Sequence, residues 1–525
     1  MKISFEKIEN KLLFFGCIAL LLDNIPKVLQ LNFLSSGFAN KGSWHFFTVF
    51  LLICIYQKVR KNIRFSSIEK NFSKYISLLI IVMMISNILG IVQYPYYDTI
   101  LSGPKGQIEK LPMVMNFLVG HNINISYQAL LSFWISVRAI KGVLLGILFT
   151  FGISFAIYWF IKKKVDIYYS ILEKAVFISL VIVPAYSLIE TAYLAGNSTA
   201  TLILSFINPL LHPVAVDHNW WPPLLWKGQL RSVFSEPSRM GNYAAFALPF
   251  LWSRFMIGNK SLSWKTILLT LLLTFFLFLT KARTPIAIYW GMLIVFSLSM
   301  LFFRKREFLK GIGIIICITV ISFSASIGFI NYLMVTPDST TDITTEKKIT
   351  ASEFMSDNVG SLASSSKRSN GARYALIRSN LKTGLEHPIW GVGEILLSAY
   401  TVNNFNEADL NNQEVSMWVK DFKEQGALKY SLDGMNEYVS RFAEYGLIGL
   451  LLFLIPGIYA LIELLRKIKK TQGDEQRKAY TIWLALLGTL IAGCNGSLNL
   501  LYTYWVVLAF AYAILFGEQY QENLK

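Results

Sequence analysis

Charge is scarce in this chain. Asp, Glu, Lys and Arg make up 15% of its 525 residues, where a water-soluble domain carries about 25%. Such a sequence cannot cover a large wetted surface, and a mean hydropathy of +0.47 points to many apolar spans. Cysteine is scarce as well. Cys17, Cys54, Cys317 and Cys494 all fall inside apolar runs, which argues against a disulfide framework or a cysteine metal site. The histidines (His45, His121, His212, His218 and His387) are scattered, and none is at a ligand spacing. A Walker loop, a nucleophile elbow, an internal repeat and a low-complexity tract are all missing. No metal or other cofactor is expected, and nothing suggests ATP hydrolysis.

What the chain has is apolar runs. A spanning helix needs about 20 mostly apolar residues. Twelve stretches qualify, some of them short: 12–31, 44–57, 75–95, 142–161, 172–195, 240–257, 264–280, 284–303, 311–334, 443–465, 479–496 and 499–517. The expected fold is therefore an all-α polytopic membrane protein with about twelve transmembrane helices. Lys2, Lys7 and Lys11 precede the first run as in a signal peptide, but Asp23-Asn24-Ile25-Pro26 stands where a small-residue cleavage site would lie. An uncleaved first span is the expectation.

The connectors test that count. With the N-terminus inside, every inner connector is basic: Lys58, Arg60, Lys61 and Arg64; Lys162, Lys163 and Lys164; Arg254, Lys260 and Lys265; Arg304, Lys305, Arg306 and Lys310; Arg466, Lys467, Lys469 and Lys470. Lys and Arg collect on the cytoplasmic side of short loops. Both termini are then cytoplasmic, and the formal charge of +17 is largely explained without nucleic acid. Residues 1–334 would form helices one to nine. Within them, outer loops 96–141 and 196–239 are longer than turns, and Tyr127 to Arg138 could lie on the interface. The aromatic run Asp217 to Pro223 sits in the second of these. Residues 335–442 form a large outer loop between helices nine and ten, and 443–525 hold the last three helices and the cytoplasmic C-terminus. In the large loop, Thr336 to Asn370 reads as flexible. After it, Tyr374, Ile377, Leu381 and Leu385 form a helical stripe that Gly384 and Pro388 should end.

Three outer segments carry arginine. Arg231 and Arg239 flank Glu236 before the sixth span, Lys281 and Arg283 stand in a very short turn, and Arg373, Arg378 and Arg441 belong to the large loop. A guanidinium donates two parallel hydrogen bonds to phosphate and keeps its charge, so a convergent set would hold a diphosphate leaving group. The plain alternative is solvation or pairing with lipid headgroups. Lys281 and Arg283 fit that alternative least, because outer turns normally avoid Lys and Arg. Glu236 reads either as an ion-pair partner or as a general base for a sugar hydroxyl. Asp23 and Glu190 are acids inside apolar spans, the feature that best supports a transporter.

In this order, the three segments resemble the O-antigen ligase and O-antigen polymerase (Wzy-like) superfamily of bacterial membrane glycosyltransferases. The likeness runs over about 172–496. It rests on Arg231 before Phe234-Ser235-Glu236-Pro237-Ser238, on Arg283 after Thr280, and on Arg373 with Pro388-Ile389-Trp390-Gly391-Val392-Gly393. It ends with Asn436, nine residues, then Gly446 and Gly449. Ligases of the family place a histidine before that asparagine, where this chain has Met435, and this departure favours a polymerase.

The resemblance implies a GT-C-like fold in the bacterial inner membrane, with the active site on the extracytoplasmic face. It implies a metal-independent polymerase that moves a glycan from undecaprenyl diphosphate to the non-reducing end of another lipid-linked repeat unit. The product would be an O-antigen, capsule or exopolysaccharide. Catalytic roles would fall to Glu236, Arg231, Arg283 and Arg373, and substrate contacts to Arg239, Lys281, Arg378, Asn436 and Arg441. Partners would be an undecaprenyl-diphosphate-linked oligosaccharide, membrane lipid and a chain-length regulator. The alternatives are a ligase or protein glycosyltransferase of the same fold, or a flippase for lipid-linked oligosaccharide.

Overall fold

The structure is a computed structural model that describes residues 5–35, 37–62, 65–215, 222–255, 263–303, 306–332, 348–363, 368–432 and 434–517. Among these residues the chain is helical throughout, without a strand. Its principal helices are α1 (Phe5–Ile18), α2 (Gly42–Arg60), α3 (Ser67–Val92), α4 (Tyr127–Ile161), α5 (Val165–Leu194), α6 (Ser198–Leu211), α7 (Pro237–Trp252) and α8 (Trp264–Leu279). They continue with α9 (Arg283–Phe303), α10 (Arg306–Tyr332), α11 (Ala351–Asn358), α12 (Arg368–Glu386), α13 (Gln413–Gln425), α14 (Glu437–Lys470), α15 (Gly473–Ala492) and α16 (Tyr502–Phe516).

Each of the twelve apolar stretches carries a helix. Among the described residues, six helices are able by length and composition to cross a membrane: α3, α4, α5, most of α9 and α10, and α14. Other apolar helices, such as α6, α8 and α16, are shorter. The 16 residues of α8 span about 24 Å at 1.5 Å per residue, less than a hydrocarbon core of about 30 Å.

One end of the bundle is fixed by ion pairs among the basic connectors. Lys162 bonds Glu69 at 2.9 Å, and Glu69 also closes the capping box that starts α3. Glu173 takes both Arg254 at 3.2 Å and Arg477 at 2.6 Å, and Asp166 takes Lys478 at 2.8 Å. Connectors far apart in sequence thus meet at one end, as alternating inner loops require. Arg64, Lys260, Arg304 and Lys305 lie outside the described residues.

The centre is α7, which is buried along nearly its whole length. It packs against α9 and α15. Glycine permits the approach: a Cβ on Gly241 would lie 2.5 Å from Pro285 Cα, and one on Gly488 would lie 2.6 Å from the Ala245 carbonyl. Small residues let helices meet closely where lipid gives no hydrophobic drive. The Gly241–Pro285 contact sets the spacing between the start of α7 and the start of α9.

Several expectations change. The first helix does not run to 31 but ends in a 3-10 turn at Ala19–Leu21, which frees Asp23 from the helix. Tyr127–Arg138 is no separate interfacial segment. It is the first part of α4, and Arg138 donates to the Leu428 carbonyl at 2.9 Å. The described part of the flexible tract, 348–363, is ordered into α11 behind a Thr350 capping box, with Phe354 against Phe323. Asp217–Trp221 and Thr336–Lys347 lie outside the described residues. Gly384 does not end α12, which runs to Glu386. The expected helix is present as α12, and most of its apolar stripe is exposed. Tyr374, Leu381 and Leu385 are exposed, while Ala372, Ala375, Leu376, Ser379 and Thr383 are buried. Gly384 sits against the Phe442 ring, so the small residues form the packing face.

The turn at 388–393 interlocks with α14. Val392 and Gly393 donate to the Ala443 and Glu444 carbonyls at 2.9 and 2.8 Å, and Leu447 donates to Pro388 at 2.8 Å. Gly446 has φ 65° and breaks α14 there. Gly446 serves both a backbone need and a close approach: side chains rarely adopt that φ, and a Cβ would strike the Ile389 carbonyl.

Candidate functional site

The site is built at the end of the bundle opposite the ion-paired connectors, on a loop that two acids hold. Glu190 of α5 accepts the backbone N–H groups of Arg231 at 3.1 Å and Ser232 at 2.6 Å. Ser232 is a non-glycine residue at φ 58°, a conformation that needs such support. Asp23 accepts the Ser235 amide at 2.9 Å and its hydroxyl. Both acids, which on sequence best supported a transporter, are spent on holding this loop.

Arg231 is 1% exposed. Its guanidinium donates to the Pro223 and Leu224 carbonyls at 2.9 and 3.0 Å and to Ser235 at 3.3 Å. The group ties 223–224 to 235 from within. The loop delivers Glu236 to the N-terminus of α7, where its Oε1 accepts Ser238 Oγ at 2.6 Å and pairs with Arg239 Nε at 3.0 Å. Arg239 Nε also stands 4.0 Å from Asp23.

The 280–284 turn is tight. Thr280 Oγ1 donates to the Leu277 carbonyl at 2.7 Å and accepts the Ala282 amide at 3.2 Å. Lys281 adopts φ 47°, and its carbonyl accepts from Gln229 at 3.4 Å. Burial pushes the Lys281 amine below its ordinary value. Arg283 begins α9, and its Nη1 is buried without a hydrogen-bond partner among the described residues. A guanidinium N–H in that position is set to receive an anionic oxygen.

Arg373 reaches this turn from α12. Its Nη1 donates to Thr284 Oγ1 at 3.3 Å and to Asn495 Oδ1, which also accepts Thr284 Oγ1 at 3.2 Å. Burial lowers the Arg373 pKa, Glu236 and Glu414 oppose that, and Arg283 and Arg239 add to it. An arginine stays charged regardless. Arg373 thus meets the turn that carries Arg283, and the Gly241–Pro285 contact sets the start of α7, which carries Arg239, beside the start of α9.

The other sequence candidates have partners within the protein. Arg441 is buried between Glu437 at 2.8 Å and Glu444 at 2.9 Å. Arg378 pairs with the Asp409 carboxylate. Asn436 caps α14, accepting Tyr438 and Val439 amides at 3.1 Å, and donates to the Cys494 carbonyl at 3.2 Å. Met435 packs on the small apolar cluster of Ala372, Leu376 and Phe405. His212 is buried, and burial pushes its imidazole down to about 4, which makes it a weak proton acceptor at neutral pH. Thr284 and Asn495 were missed. The Asn495-Gly496 pair inside an apolar run is the turn signal that would have marked the second.

Gly241→Ala tests how finely the cluster is spaced. The added methyl would push α7 from Pro285. Turnover should fall by about 10²-fold, the cost of an ångström-scale misplacement, with membrane insertion unchanged. Steady-state rates on purified variant and parent check this.

A bundle of long apolar helices carrying three clustered arginines and a carboxylate is the frame of an integral membrane protein. Residues 268–454 match the model of a family described as O-antigen ligase. The match covers Arg283, Arg373, the 388–393 turn and Gly446, so the likeness read from those motifs is shown over that stretch; Arg231, Glu236 and Arg239 lie before it. No curated protein matches the chain. The family supports a membrane enzyme of glycosyltransferase type that acts on lipid-linked glycans.

Proposed function

We propose that this protein polymerises lipid-linked repeat units outside the cytoplasm. The observation that carries the reading is that Arg373 of α12 reaches the turn that presents Arg283, bonding Thr284 and Asn495, while Arg239 pairs with Glu236 at the head of the adjoining α7. Arg283 and Arg373 hold the diphosphate of an undecaprenyl-diphosphate-linked glycan, with Arg239 at its edge. A hydroxyl of the second unit's non-reducing sugar attacks the anomeric carbon. The carbon–oxygen bond to the diphosphate breaks, the electron pair leaves with it, and the hydroxyl proton passes to Glu236. Arg231, Asn436 and Arg441 act as positioning residues: each is spent on backbone or carboxylate partners inside the protein.

The family description favours a ligase acceptor as the second reading. Met435 weighs against it, because a thioether in an apolar cluster transfers no proton. Purified protein given lipid-linked repeat unit without ATP should build a ladder of products. A single added unit on a different acceptor would mean ligase, and no covalent product would end the enzymatic reading.

Glu236→Gln is the sharper check on the base. It keeps the size of the side chain and an oxygen to accept from Ser238. Turnover should fall about 10²-fold or more. Unchanged turnover assigns Glu236 to the ion pair with Arg239 alone.

A further inference from the structure

We propose that the cleft beside Arg239 binds the sugar that accepts the transferred glycan. This rests on the transferase reading. The cleft lies between the break after α1, the first turns of α7 and the start of α16; Asp23, Arg239, Phe234, Tyr243, Asn242 and Thr503 are among its lining residues. Two features point to a ligand. Asn242 is 5% exposed and Thr503 is 3% exposed, yet Asn242 Oδ1 and Thr503 Oγ1 are both buried without a hydrogen-bond partner among the described residues. Native proteins rarely leave such atoms unpaired unless something else satisfies them.

The chemistry of the lining selects the class of ligand. Asn242 Oδ1 and the Asp23 carboxylate accept, the Thr503 hydroxyl does either, and Arg239 and Lys41 also line the cleft as donors. Donors and acceptors mixed in this way suit a pyranose, whose hydroxyls do both. An acyl chain would leave Asn242 and Thr503 unpaired. Arg239 joins the cleft to the site, since it pairs with Glu236 at 3.0 Å and stands 4.0 Å from Asp23. A ring in the cleft is therefore next to the carboxylate proposed to take its proton.

The test uses the full-length protein in detergent and, as probe, the repeat-unit oligosaccharide freed from its lipid diphosphate by mild acid. Binding is read by saturation-transfer NMR, with the ladder assay run in parallel. The parent should bind the freed oligosaccharide. Asn242→Leu should weaken it about 5- to 10-fold, the range for one hydrogen bond. Thr503→Val, the milder change, should weaken it measurably and serves if Asn242→Leu fails to fold. Binding equal to the parent in folded variants, or no binding by the parent, overturns the subsite. Side-chain-dependent binding without any ladder keeps the subsite and defeats the polymerase reading. A ladder with no effect of either variant does the reverse.

Discussion

Arg373→Ala is expected to abolish long-chain product while the protein still inserts. Three effects combine at this residue. The guanidinium meets the turn that carries Arg283, and loss of one donor to a developing charge typically costs about 10²–10³ in turnover. It also ties α12 to Thr284 and Asn495, so its removal loosens the turn that presents Arg283. Lysine does not replace it, because a compact ammonium cannot reach both oxygens and a diphosphate with a planar fork. Arg373→Lys should therefore recover only a small part of the rate. Arg283→Ala should match Arg373→Ala in kinetics. It should perturb the structure less, since Arg283 Nη1 has no protein partner to lose. Turnover and thermal unfolding of the three variants separate the two roles. Normal chain length in either alanine variant would remove the diphosphate clamp.

The sequence showed where helices form far better than what each charged group does. Apolar runs located a helix at every expected stretch, and Lys162 and Arg254 of two basic connectors pair with Glu69 and Glu173. Arg283 stood out because a cation in a very short outer turn is unusual. Arg231 looked equivalent, but sequence does not distinguish a guanidinium spent on three carbonyls from one offered to a ligand. Asp23 and Glu190 were misread for a similar reason: an acid in an apolar run can serve a backbone amide as well as a transported ion. The α12 stripe located the helix but not its packed face, which the small residues Ala372, Ala375, Ser379 and Thr383 help to form.

The contrast between Arg231 and Arg373 gives the second large effect. Arg231→Leu should cost about 3–5 kcal/mol of stability, the range for removing one partner of a buried charged network. Three carbonyls would lose their donor, and Glu190 would keep its two amides but lose the nearby cation. Arg231→Lys should recover little, because one ammonium cannot span the Pro223, Leu224 and Ser235 carbonyls. Activity should vanish in both variants, as it does in Arg373→Ala, but by a different route. The loop would release Ser232 from φ 58° and Glu236 from the head of α7, so limited proteolysis should cut within 222–236 before any other described loop. A folded, protease-resistant Arg231→Leu protein that has lost only substrate affinity would instead make Arg231 a ligand contact, and the division of the arginines into gripping and positioning groups would fall.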